Sequence, residues 1–150
     1  MKAYKPDNYQ DLSPYLVANN AESVIDFLKQ VFEATDLRRY DDGKGNLMHA
    51  EVRVGDSVVM IADGTTDWPG FPVHIHVYVP NVDAVFQKAV DAGAEVLQQP
   101  RTRAGDPDKR GGFKDPSGNS WWIATHKEDV SPEELKRRGD EHMKQRQASL

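Results

Sequence analysis

Two residue pairs in this chain have the types and the spacing for chemistry. His74 and His76 stand two apart in Val73-His-Ile-His-Val-Tyr-Val79, and His49 and Glu51 stand two apart in Leu47-Met-His-Ala-Glu-Val-Arg-Val54. Alternate residues of a strand share one face, so each pair projects its side chains together. Two imidazoles on one face can hold a divalent cation when further donors join them, and His49 and Glu51 supply those donors if sheet curvature brings the pairs close. Without a metal, the same residues line a polar cleft and hydrogen-bond one another. Glu51 or His76 is then the candidate general base. A carboxylate beside a histidine in an apolar cleft can have its pKa moved toward neutrality, which suits proton abstraction next to a carbonyl.

Aromatic residues give a second kind of site. Tyr15, Trp68, Phe113 and Trp122 lie on or beside segments expected to border a cleft, and with His49 and His74 they are the expected ligand contacts. Alternation sends Trp122 toward the cleft and Trp121 toward a helix. A tryptophan offers a broad apolar face and one N–H donor, which suits a planar or aromatic ligand. The same rings also serve to fill a core otherwise thin in apolar side chains. Arg101, Arg103, Lys109 and Arg110 make a basic loop, which either recognises an anion or keeps the loop solvated.

The elements that position these residues come in duplicate. Asn20-Ala-Glu-Ser-Val24 and Asn81-Val-Asp-Ala-Val85 both open apolar helical stretches, 61 positions apart. Gly55-Asp-Ser-Val-Val-Met-Ile-Ala-Asp63 is echoed by Gly118-Asn-Ser-Trp-Trp-Ile-Ala-Thr-His126. Each asparagine is a good helix N-cap. Val24, Ile25, Leu28, Val31 and Phe32 recur at helical spacing, as do Val85, Phe86, Ala89 and Val90. Strands are expected over 12–18, 38–41, 47–54, 57–62, 73–79, 95–99 and 120–125, and a charged loop over 100–112. Ser131-Pro132-Glu133-Glu134 opens a polar tail helix over about 131–147, a capping box with proline at the first helical position. The fold class is therefore α+β: two tandem βαβββ modules, about 12–63 and 73–126, in one domain spanning 1–150.

Composition narrows the partners. A net charge of −5 argues against a nucleic-acid binder, because phosphate neutralisation needs a basic face. The chain has no cysteine, so thiolate chemistry and cysteine-ligated metals are excluded. No stretch approaches the roughly 20 apolar residues of a membrane span, and the first residues lack the apolar run of a signal peptide. A cytoplasmic protein without membrane partners is the expectation.

Several runs resemble the vicinal oxygen chelate superfamily, the glyoxalase and bleomycin-resistance proteins, and more closely its PhnB-like branch. They are Ser13-Pro-Tyr-Leu16, His49-Ala-Glu51, Gly55-Asp-Ser-Val-Val-Met60, Ile75-His-Val-Tyr78, Asp115-Pro-Ser-Gly118 and above all Ala124-Thr-His-Lys-Glu-Asp-Val-Ser-Pro-Glu-Glu-Leu135. The resemblance implies curved mixed sheets around a cleft, often across a homodimer. Metal-dependent members place one ligand on the first and one on the last strand of each module. Counting by the internal repeat puts Ser13, Val59, His74 and Trp122 at those places, which is no set for a divalent ion. The expectation is thus a small-molecule-binding protein with no cofactor and without the usual metal site, acting as a homodimer on a partly aromatic ligand. The alternative is a metal-dependent lyase, isomerase or dioxygenase with an unusual site around His74, His76 and Glu51. A regulatory protein acting through the tail helix is the third reading.

Overall fold

The computed structural model describes residues 2–149 and contains two four-stranded sheets and three helices. The first module runs β1 (Tyr15–Ala18), α1 (Ala21–Phe32), β2 (Thr35–Asp41), β3 (Leu47–Val54) and β4 (Ser57–Asp63). The second runs β5 (His74–Tyr78), α2 (Val82–Asp91), β6 (Glu95–Arg101), β7 (Asp108–Lys114) and β8 (Ser120–His126), followed by α3 (Pro132–Ala148). Sheet A has the order β1-β4-β3-β2 and sheet B the order β5-β8-β7-β6. In each, the first strand pairs parallel with the last and the remaining pairs are antiparallel. The α+β class and the two βαβββ modules are as the repeat implies.

Both helices begin as their caps dictate. The Asn20 and Asn81 side chains accept from the amides of Ser23 (3.2 Å) and Ala84 (3.1 Å). A second device is repeated one step further on. Asp63 accepts from the Ala21 amide (2.8 Å) and Thr125 from the Val82 amide (2.9 Å), so the end of each last strand holds the start of its own module's helix.

One face of each sheet packs on the helices. Val24, Ile25, Leu28 and Val31 of α1 are buried against Leu16, Ala50, Val52 and Ile61. Burying such a side chain contributes about 1.5–3 kcal/mol, which makes this face the main source of stability. The core crosses the seam between modules. Phe113 of β7 touches Phe27 and Phe32 of α1 and Phe86 of α2, with ring centroids 5.8, 6.1 and 6.5 Å away, and Phe32 also meets Trp121. The other face of each sheet carries the polar pairs.

One expectation about elements changes. Residues 100–112 are not one loop, because Asp108–Lys114 is a strand between β6 and β8. The tail helix forms with Ser131 as cap and no buried side chain. Along it Glu134 pairs with Arg138 at 3.1 Å, and Arg137 pairs with Glu134 and Glu141.

Candidate functional site

The helix-free face of sheet A gathers Tyr15, His49 and Glu51. Register explains it: Tyr15 and Glu51 both lie opposite Met60, and His49 lies opposite Tyr40. The Tyr15 hydroxyl meets His49 Nδ1 at 3.0 Å, and His49 Nε2 meets Glu51 Oε2 at 2.7 Å. With neutral His49, the carboxylate fixes the tautomer, so Nε2–H donates to Glu51 and Nδ1 accepts from Tyr15. Glu51 is only 4% exposed, and its second oxygen accepts from the Tyr9 hydroxyl at 2.6 Å. Burial pushes its pKa up, but the bonds from Tyr9 and His49, with the charge of Arg38, outweigh burial and hold it below the ordinary carboxylate value. Glu51 is thus a fixed anion with both oxygens engaged. That direction is opposite to the shift toward neutrality expected of a general base.

The helix-free face of sheet B gathers His74, His76, Tyr78 and Trp122. Trp122 lies opposite both His76 and Gly112. Gly112 is needed there: a Cβ at this position would stand 2.5 Å from Trp122 Cε3, so the indole lies across bare backbone. Trp122 Nε1 donates to His74 Nδ1 at 3.0 Å, and the two rings are 14° from parallel with centroids 6.2 Å apart. Joined at their edges, they form one flat aromatic floor. Since indole N–H only donates, His74 Nδ1 is the acceptor and neutral His74 carries its proton on Nε2. His76 Nε2 accepts from Arg110 Nη1 at 2.9 Å. Burial and then the guanidinium charge lower the His76 pKa, which keeps it neutral.

Beside the floor, Asp108 organises a network that sequence reasoning missed. It is 2% exposed and accepts from Tyr78 (2.7 Å) and Arg110 (2.8 Å) on one oxygen and meets His126 Nδ1 (2.7 Å) on the other. Arg110 also binds Asp106 at 2.7 Å, so it is a packed strand residue and not part of a solvated loop. The only advance signal was the Asp108-Lys-Arg110 alternation, masked by the glycines that follow.

Two expected ligand residues lie elsewhere. Phe113 is fully buried on the helix face, opposite Trp121 and one residue off the face of Trp122. Strand alternation therefore removes it from the open face. Trp68 sits 76% exposed in the segment between the modules, with its amide on Thr65 Oγ1. The position equivalent to Trp122 in module one is Met60, not Val59. Gly55-Asp56 is a two-residue hairpin closing on Val54 and Ser57, whereas the second turn spans Asp115 to Asn119, so counting from its glycine slips by one residue. Val59 consequently faces α1 and is buried.

A family model described as "Glyoxalase/Bleomycin resistance protein/Dioxygenase superfamily" matches residues 12–123. The chain belongs to this superfamily. It is 35% identical over 135 residues to the uncharacterised protein Mb0911c of Mycobacterium bovis, covering 83% of this chain and 88% of that one. Among solved structures it is similar to TioX from Micromonospora sp. ML1, at 21% identity and a TM-score of 0.67, covering 78% of this chain and 98% of that one. It is also similar to TnmS3, an antibiotic binding protein from Streptomyces sp. CB03234, at 16% identity and a TM-score of 0.61, covering 84% and 99% of the two chains. At these identities the two structures share the fold.

The metal ligation that the superfamily resemblance implies does not fit these residues. With the register corrected, the four places hold Ser13, Met60, His74 and Trp122. The Nδ1 of His74 already accepts from Trp122. His49 and Glu51 belong to sheet A, and His74 and His76 to sheet B. Among the described residues no three His, Asp or Glu side chains converge as a metal site.

Proposed function

We propose that this superfamily member binds a small, planar, partly aromatic molecule and does so without the usual metal site. The observation that carries the reading is the Trp122–His74 floor, held flat by Gly112 and edged by neutral His76. Stacking on such a surface contributes about 0.5–1.5 kcal/mol beyond area burial. The His74 Nε2–H adds a donor at the rim, and the fixed tautomer of His76 leaves its Nδ1–H free of the Arg110 contact. That TnmS3 is an antibiotic binding protein of the same fold supports the class of function and not the identity of the ligand. The proposal includes the PhnB-like branch, a cytoplasmic setting and a homodimer in which a partner completes the open faces. β1 and β5 each pair on one edge only, which leaves an edge for such a partner.

Titration of intrinsic indole fluorescence with a panel of planar aromatic molecules tests the reading. A ligand that quenches the wild type should bind at least tenfold more weakly to Trp122→Ala and to His74→Ala. Unchanged affinity in both variants would remove the floor as the site. Stoichiometric metal in protein purified without a histidine tag, lost in His74→Ala/His76→Ala, would overturn the metal-free reading.

A further inference from the structure

The helix-free face of sheet A is not bare. Residues 2–11 form no helix or strand, yet they are tied down on this face. Tyr9 places its hydroxyl 2.6 Å from Glu51 Oε1. The guanidinium carbons of Arg38 and Arg53 lie over its ring, 5.6 and 5.9 Å from the centroid. Arg53 donates to the Asn8 carbonyl at 2.9 Å, and Gln10 to the Asp56 carbonyl at 3.4 Å. Val58, opposite Arg53 and so on this same face, is fully buried.

These are the parts of a recognition site. A buried carboxylate waits for a donor, two cations address an aromatic face, and the Tyr15–His49 pair occupies the other carboxylate oxygen. A buried anion left without such a donor is costly, so the site demands an occupant. The chain supplies its own. Sheet B has no counterpart, because Gly112 stands where sheet A has Glu51 and the Trp122 ring lies over it.

We propose that this face of sheet A is a binding site for hydroxyarenes, in which a phenolic hydroxyl donates to Glu51 beneath Arg38 and Arg53, and that the N-terminal arm closes it by docking Tyr9 as an internal ligand. A tethered ligand acts at an effective concentration on the order of millimolar, so an external phenol must displace it. The site is separate from the Trp122 floor and does not depend on it.

Calorimetric titration with p-cresol and with 4-methylanisole, which has no donor, tests this on the full chain, on Tyr9→Gly and on a chain lacking residues 1–10. We expect p-cresol to bind both arm variants at least tenfold more tightly than wild type. 4-Methylanisole should gain nothing, and Tyr9→Gly/Glu51→Leu should lose the p-cresol gain. Equal p-cresol affinity in wild type and both arm variants would overturn the proposal, as would an equal gain for 4-methylanisole. Circular dichroism showing both arm variants unfolded would make the arm a folding element and overturn it too. A failed fluorescence titration at Trp122 would leave these readouts untouched.

Discussion

Gly112→Ala tests the aromatic floor most directly. The new methyl carbon would stand 2.5 Å from Trp122 Cε3 and 2.6 Å from Cζ3, well inside contact distance. Gly112 carries no positive φ, so alanine fits the backbone and the conflict is with the ring alone. Overpacking of this kind costs about 1–3 kcal/mol, and replacing a strand glycine returns about 0.4–1 kcal/mol through the unfolded chain. The net loss is about 1–2 kcal/mol, or roughly 2–8 °C in Tm for a chain of this size. We expect the indole to give by tilting off the sheet, which breaks its bond to His74. Thermal unfolding reads the stability, and the Trp122 indole N–H resonance in a nitrogen-correlated spectrum reads the tilt. Gly111→Ala is the control, since its methyl meets Pro100 Cγ at 3.3 Å and leaves Trp122 alone. A Tm within about 1 °C of wild type together with an unmoved Trp122 resonance would mean that the ring does not lie across Gly112.

Two further outcomes follow from burial and charge. Phe113→Ala should destabilise by about 3–5 kcal/mol in chemical denaturation, whereas Trp68→Ala should stay within about 0.5 kcal/mol; comparable losses would contradict their placement in core and linker. His126 is held by Asp108 and Asp129, whose hydrogen bonds raise its pKa above the ordinary 6.5, and Arg110 shares Asp108 with it. A raised pKa stabilises fully below the unfolded value and fades as pH climbs through the folded one, so the Tm advantage of wild type over His126→Gln should be largest below about pH 6.5 and shrink above it; an advantage that grows with pH would reverse the assignment.

Much of the architecture was legible because the duplication states its own grammar. Asn20 and Asn81 announce helix starts, and the alternation around His49, Glu51, His74 and His76 places each pair on one face, as found. What escaped the sequence was hidden by packing. β7 reads as loop because Gly111 and Gly112 contribute no side chains of their own, leaving room for Pro100 and Trp122. Counting from the turn glycine reaches Val59 and not Met60 because the turns ahead of β4 and β8 differ in length. Tyr9 as a partner of Glu51 was invisible for a third reason: it reaches the carboxylate from 42 positions away, along a segment with no periodicity to follow.

The ring cluster around Phe113 bears on how far the two repeats depend on each other. Each half repeats one pattern of helix and sheet. Yet Phe27 and Phe32 of one repeat and Phe86 of the other all lean on a single side chain. Neither repeat can be excised, shuffled or traded without exposing that shared interior to water. The two repeats therefore share one interior and stand or unfold together.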